Sequence, residues 1–316
     1  MTRRKSHPQA EALVESFRSK RPIRAGSLII TVYGDAIAPH GGTVWLGSLI
    51  RLLEPLGLSQ RLVRTSVFRL ARESWLGAEQ IGRRSYYSLT GTGRARIESV
   101  HRRIYAPVQS EWDGGWHLIM LITDDIGPEE RRAVGRELAW QGFGMIATGV
   151  FAHPSADMDA ARKVLEDLGI IDKAVILAAS CEPGGRGRPL RSLIGNCWNL
   201  DELADEYREF LDRFRPVWRE LNGVRQLDPE ECFLIRTLLI HDFRRVLLRD
   251  PQLPAQLLPA DWAGTAARLL CRNLYRLVEG PAEAHLMATL ETADGPLPEA
   301  SPYYYQRFGG LESAPA

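Results

Sequence analysis

The sequence predicts an α+β protein with an N-terminal winged helix-turn-helix, a central sandwich of helices packed on one sheet, and a mostly helical C-terminal region. Within residues 25 to 105, three segments of helical period are followed by a short basic hairpin, and between 112 and 180 apolar strands alternate with amphipathic helices. Charge is also divided along the chain. Residues 1 to 105 carry 18 Lys/Arg against 7 Asp/Glu, and the remainder carries 22 against 32, although the whole chain is only +1. A basic third joined to an acidic remainder points to a polyanion-binding module attached to a region with other work. With 316 residues, 45% of them hydrophobic and 25% charged, the chain can bury cores in two or three domains, and its composition excludes a disordered tail.

Residues 1–24 are polar and basic and are expected to form a loosely held, flexible arm. In SLIITVYGDAIAP the β-branched content favours a strand, but Leu28/Ile29, Val32/Tyr33 and Ala36/Ile37 recur at the spacing of one helical face. A helix is therefore expected there, capped by Ser27 and stopped by Pro39. VWLGSLIRLLEPLG sets Leu46, Leu49, Ile50 and Leu53 on one face of a second helix ending near Pro55 and Gly57. A third, from a Ser59 cap to about Glu73, buries Leu62, Val63, Val67 and Leu70. AEQIGRRSYYSLT then reads as two strands around a Gly82-Arg83-Arg84 turn, and a helix from about Thr92 to Tyr105 leads out of the domain.

Farther on, WHLIMLIT, GMIATGVFAHP and AVILAAS read as strands, separated by helices over PEERRAVGRELAWQG and ADMDAARKVLEDLG. CEPGGRGRPLRSLIGN, rich in Gly, Pro and Arg, reads as a linker or loop. From Trp198 the pattern is helical, broken at Pro216, Pro229 and RDPQLPAQLLPADW, and beyond about Leu290 a ragged end is expected.

The third helix and the hairpin carry the clearest chemistry. DNA recognition needs a rigid helix that fits the major groove, side chains that reach base edges, and cations on flanking phosphates. Arg61, Arg64 and Thr65 lie on the outer face with Phe68, and Arg69 and Arg72 lie at its margins. Arg pairs bidentately with guanine, and Thr meets a thymine methyl. Arg83 and Arg84 would hold phosphate or enter the minor groove, and Tyr86 completes the candidate DNA-binding set. The competing interpretation is a basic face that is simply solvated.

The run GDAIAPHGGTVWLGSLIRLLEPLGLSQRLVRTSVFRLARESWL, followed by IGRRSYYSLT, resembles the PaaX family of repressors of phenylacetic acid degradation. LLIHDFRRVLLRDPQLPAQLLPADW, with LCRNLYR after it, is similar to that family's C-terminal region. The resemblance runs from about Ser27 to Leu290. It implies a winged-helix domain over 25–105, a ferredoxin-like domain akin to the Cas2 proteins over 106–180, and a helical regulatory and dimerisation domain over 181–290, to which the Pro, Gly and Ala content adds an irregular tail over 291–316. It also implies a repressor released from its operator by phenylacetyl-CoA, and because two-fold operators favour two-fold proteins a homodimer on double-stranded DNA is expected.

An acyl-CoA effector needs cations for its phosphates and an apolar slot for its acyl end. Arg186, Arg188 and Arg191 could cradle phosphates, and Trp198, Trp218 or Trp262 could line a pocket. Arg244, Arg245 and Arg249 fall in the family-like C-terminal motif and could instead pair with the acidic surface around them. Two rival functions are a metal-dependent nuclease acting through the central domain and a CoA-ester enzyme. For the first, Asp124 and Asp125 stand where Cas2-like nucleases carry an acidic metal ligand, but Asp near a strand end is usually a turn former. His241-Asp242 has only a superficial likeness to the dyad of HD phosphohydrolases. No P-loop, GxSxG or GxGxxG is present, so no catalytic or metal site and no cofactor is expected. The four cysteines show no paired spacing and are expected to be reduced thiols. With no apolar run near ~20 residues and a charged N-terminal segment, the expectation is a cytoplasmic protein without a membrane partner.

Overall fold

The computed structural model describes residues 7–106, 112–122, 125–180 and 188–311. The chain forms two compact units, one of residues 1–107, 209–245 and 265–316 and one of residues 108–208 and 246–264.

In the first unit α1 (Pro8–Ser19) stands where a loose arm was expected, and residues 1–6 of that arm lie outside the described residues. Its apolar Ala10, Leu13 and Val14 are buried, Glu220 accepts from the backbone N–H groups of Gln9 and Ala10 at 3.0 and 3.1 Å, and His7 meets Glu231 at 2.6 Å. An isolated turn of helix is marginal in water, so these tertiary contacts order the segment. α2 (Ala25–Val32) is the expected helix, continued by a π-turn over Tyr33–Ile37 and a short 3₁₀ turn that ends at Gly41. Ser27 lies inside α2 and does not cap it; Arg24 occupies that position. A short strand, β1 (Thr43–Trp45), precedes α3 (Leu46–Leu53), and α4 (Gln60–Arg72) follows. The hairpin is β2 (Leu76–Ile81) and β3 (Arg84–Leu89), with β1 joining β3 to give a three-stranded antiparallel sheet in the order β1-β3-β2. α5 (Gly91–Tyr105) is capped by Thr90, whose Oγ1 accepts from Gly93 N at 2.9 Å. Leu28, Ile29, Leu49, Leu52, Val63, Val67 and Leu76 fill the core beneath the three helices and the sheet.

The second unit contains β4 (Gly115–Leu121), α6 (Pro128–Trp140), β5 (Gly144–Ala147), β6 (Val150–His153), α7 (Met158–Asp167) and β7 (Ala174–Ser180). GMIATGVFAHP is thus two strands where one was expected, because Gly149 at φ 75° turns the chain between them. The sheet is antiparallel with the order β5-β6-β4-β7, the ferredoxin-like β-α-β-β-α-β arrangement. Ile119, Leu121 and Phe151 bury one face against Val134 and Leu138 of α6 and Ala161 and Leu165 of α7. Trp116 and Ala152 on the other face pack with Ile194, Trp198, Leu253 and Leu257. Ile194 belongs to α8 (Arg188–Cys197), which occupies the second half of the segment read as a linker.

α9 (Leu200–Leu221), α10 (Pro229–Leu247) and α11 (Ala263–Thr289) account for the helical C-terminal pattern. α9 continues through Pro216, where a break was expected, and α11 continues through Pro281. The expected separate domain over 181–290 is corrected as well, since 209–245 and 265–316 fold with the N-terminal region. α10 shows why: Cys232 to His241 are all buried, and a helix covered on every side is a central element of its unit. Over residues 291–311 the chain is ordered, not ragged, with the hairpin β8 (Glu291–Thr292) and β9 (Gly295–Pro296), then α12 (Pro302–Tyr305), with Leu297, Tyr304 and Phe308 buried, and the rest of the expected tail lies outside the described residues. Among the described residues no helix is long and apolar enough to cross a membrane.

Candidate nucleic-acid interface

α4 is positioned from both ends and from beneath. Ser59, in extended conformation, caps it by accepting from Leu62 N at 3.3 Å, and Val63, Ser66, Val67 and Leu70 are buried. Leu62 is only partly buried and Ser66 takes its place, a rotation of the apolar stripe by a fraction of a turn. This leaves Arg61, Arg64, Thr65, Phe68, Arg69 and Arg72 exposed. No carboxylate among the described residues pairs with Arg61 or Arg64. Arg69 reaches Glu73 only at 3.7 Å, a solvent-exposed i,i+4 pair of small energetic weight. Phe68 is 62% exposed, an apolar ring offered to solvent between guanidinium groups and suited to a thymine methyl. The face can therefore supply charge, bidentate donors and apolar contact to one groove.

The wing turns tightly at Gly82 and Arg83, with Ile81 opposite Arg84, and Gly82 takes a φ of 60° that favours glycine. Arg83 at the tip is exposed and has no ion pair among the described residues. Arg84 differs from the expectation. Its Nη1 lies 3.0 Å from Glu291 Oε2, its guanidinium sits 4.1 Å over the Trp45 ring, and Arg51 holds the other Glu291 oxygen at 2.7 Å. Those two arginine hydrogen bonds hold the Glu291 carboxyl below its ordinary range. Because this pair is exposed, its energetic weight is small. Glu291→Gln should thus tighten DNA binding by no more than about fivefold, with the gain fading as salt rises; fluorescence anisotropy at two ionic strengths checks it. Tyr86 is corrected: it is 5% exposed, folded inward on the sheet opposite Trp45 and Glu79, and its ring cannot enter a groove.

The effector candidates are scattered. Arg186 lies outside the described residues, and Arg188 and Arg191 fall on α8 with side chains outside the description. Trp198 is in the core of the second unit and donates from Nε1 to Gly142 O at 2.9 Å, while Trp262 packs edge-on to Tyr207. Trp218 is partly buried. Arg249 pairs with Glu202 at 2.9 Å and also with Glu206, as an acidic surface allows. Arg245 is exposed. Arg244 Nη2 donates to Ser27 Oγ at 2.9 Å and to its carbonyl at 3.3 Å.

Of the acidic pair, Asp124 lies outside the described residues and Asp125 is exposed at a turn, its N–H donating to Ile122 O. His241 meets Thr31 Oγ1 at 3.0 Å and burial lowers its pKa to about 4, while Asp242 pairs with Arg213, so the two side chains point to different partners. No group of three or more potential metal ligands occurs among the described residues. Burial pushes the Cys232 thiol up to about 12, which makes it a poor nucleophile at neutral pH.

One cluster had no counterpart in the sequence reading. Asp35, in the π-turn, is 4% exposed and accepts from Arg236 Nε at 2.7 Å, Tyr105 OH at 2.6 Å, Tyr275 OH at 3.0 Å and Arg307 Nη1 at 3.1 Å. Burial alone would raise the Asp35 pKa, but Arg236 and Arg307 outweigh it and hold the carboxylate ionised. Arg236 also donates to Glu283 at 2.8 Å, and His40 Nε2 meets the other Glu283 oxygen at 2.5 Å. Burial would raise the Glu283 pKa too, yet the His40 hydrogen bond and Arg236 bring it to about 2. A depressed folded-state pKa stabilises the fold above the ordinary value of 4.5, and that stability is lost as pH falls toward 2. Thermal melts from pH 5 to 2 should therefore show a steeper loss for the native chain than for Glu283→Gln. Equal slopes would place the acid lability elsewhere.

Helices α2, α3 and α4, the tight turn between β2 and β3, and an exposed row of guanidinium groups on α4 give a face suited to nucleic acid. Comparison with known proteins narrows the class. Residues 24–93 match the model of PaaX-like proteins, 109–190 that of the PaaX protein central Cas2-like domain, and 198–288 that of the PaaX-like protein C-terminal domain. The chain is also 40% identical over 291 residues, 92% of each protein, to "Transcriptional repressor PaaX" of Escherichia coli (strain K12). The chain belongs to the PaaX family. Among solved structures it is similar to the uncharacterized protein Rv0674 from Mycobacterium tuberculosis, with a TM-score of 0.53 and 22% identity over 82% of this chain and 97% of that one, a likeness of fold alone.

Proposed function

We propose that this protein is a transcriptional repressor of phenylacetic acid catabolic genes, binding a double-stranded operator through α4 and the wing and released by phenylacetyl-CoA. The observation that carries this reading is the solvent face of α4, where Arg61 and Arg64 stand exposed and without carboxylate partners among the described residues. Arg61, Arg64 and Thr65 read bases, Arg69 and Arg83 hold phosphates, and Arg84 joins them when it leaves Glu291. The protein works by binding and not by catalysis, in the cytoplasm, as a homodimer, since two recognition helices then occupy successive major grooves about one turn apart. Release follows only if phenylacetyl-CoA has higher affinity for a conformation that no longer fits that spacing.

The test is an anisotropy titration of a labelled promoter fragment from the adjoining catabolic genes, with and without phenylacetyl-CoA. Tight binding that is reversed by the thioester supports both halves of the reading. Binding that phenylacetyl-CoA leaves unchanged removes the effector, and no preference for the promoter over unrelated DNA removes the repressor.

A further inference from the structure

The first unit contains an arginine whose burial nothing nearby explains. Arg244 on α10 is only partly accessible, and its Nε is fully buried without a hydrogen-bond partner. Its Nη2 is spent on Ser27, and no carboxylate among the described residues pairs with it. The nearest acid lining the same space, Asp35, is already committed to Arg236, Arg307, Tyr105 and Tyr275. An unmatched buried cation is costly, and an unmade hydrogen bond at a charged donor adds to the cost. Such a site is explained when a ligand supplies the missing acceptor.

Arg244 borders a small cavity between α2, α5 and α10. Its wall is mostly apolar, with Ile30, Ile97, Ile104 and Ile240 beside the polar Thr31, Asp35, His101 and Tyr105, and Trp75 and Arg96 also line it. Arg96 is exposed and lies 4.9 Å over the Trp75 ring. The void measures about 30 Å³, room for roughly one water. An isoleucine-lined chamber with one unsatisfied guanidinium N–H suits a compact apolar group that carries an oxygen acceptor.

We infer that this cavity receives the aryl-acyl end of the effector, its carbonyl or carboxylate oxygen accepting from Arg244 Nε, the ring lying among the isoleucines. The assignment rests on the effector reading above and gives it a place. Because the void is too small for a phenyl ring as it stands, entry must move α5 away from α10. α5 follows β3 through Thr90, whose Oγ1 also donates to Ser74 O at 2.6 Å just ahead of β2, so the same movement pulls on β2 and β3 beside α4. The phosphates of a CoA thioester would remain outside, near Arg96.

Isoleucine-δ1-methyl NMR on the full chain tests this, with phenylacetyl-CoA, phenylacetate and CoA alone as separate probes. The Ile97 and Ile240 methyl resonances should move with both aryl-acyl probes and stay in place with CoA. Arg244→Met should weaken the aryl-acyl affinity by roughly tenfold or more. Its melting temperature should hold or rise, since an unmatched charge is removed, whereas a purely structural arginine would lower it. Val100→Trp, at a partly exposed position on the lining, should fill the chamber and weaken aryl-acyl affinity by a similar factor. Methyl resonances unmoved by either aryl-acyl probe, or full affinity in both variants, overturn the inference. Phenylacetyl-CoA binding that shifts only distant residues overturns this site and leaves the effector reading standing. Shifts with phenylacetate but not with the thioester keep the site and remove phenylacetyl-CoA as its occupant.

Discussion

Asp35→Ala should destabilise the first unit by about 3–5 kcal/mol, the cost of stripping one partner from a buried ion pair. Arg236 and Arg307 are each about 1% exposed, so neither can turn to water once the carboxylate is gone. The Tyr105 and Tyr275 hydroxyls lose their acceptor in the same step. A loss of that size is a large share of the 5–15 kcal/mol that holds a typical protein together. The cluster ties the turn after α2 to α5, α10, α11 and the C-terminal Arg307, so DNA binding should fall with stability. Urea unfolding reads the effect directly. A midpoint within 0.2 M of the native one would show that the arginines are satisfied without Asp35.

Arg64→Ala should cost about 1–3 kcal/mol in operator affinity, the range of one good bidentate base contact, and should leave binding to unrelated DNA nearly as it was. Arg83→Ala should act differently. A phosphate contact lowers affinity for all sequences alike and reduces the slope of log affinity against log salt by about one. Both residues are exposed and neither packs in the core, so melting temperatures should stay unchanged. Salt titrations of promoter and scrambled fragments separate the two behaviours. Equal loss on both DNAs for Arg64→Ala would assign it to the backbone.

How much of this was legible in the sequence depends on how local each signal is. α4 was readable because its cap, its stripe of Val63, Val67 and Leu70 and its basic face all lie within fourteen residues. The wing was readable for the same reason, since Gly82 and the flanking alternation fix a hairpin by themselves. Tyr86 departs from its expected role because alternation tells which residues share a face but not which face is covered, and its cross-strand neighbour Trp45 lies on β1, a strand too short to leave a pattern. Over 188–196 a helix stands where a linker was expected, because Gly and Arg conceal the stripe of Leu190, Leu193 and Ile194 in α8, while residues 181–187 lie outside the described residues. The buried cluster was illegible for a deeper reason. Asp35, Arg236 and Arg307 are separated by 201 and 272 residues from one another along the chain, counted from Asp35, and no local pattern joins them. Arg307 sits in a stretch whose Pro, Gly and Ala content reads as loose, although it is fully enclosed. The same limit applies to the cavity beside Arg244, which three helices distant in sequence form together.

The central claim is that the exposed face of α4 is what holds DNA. A DNase I footprint on the promoter fragment, made with the native protein and with Arg61→Ala/Arg64→Ala after matching their melting temperatures, tests it most directly. A protected stretch that the native protein gives and the double variant loses is the predicted result. Protection of the same extent at the same concentration by both proteins would contradict it.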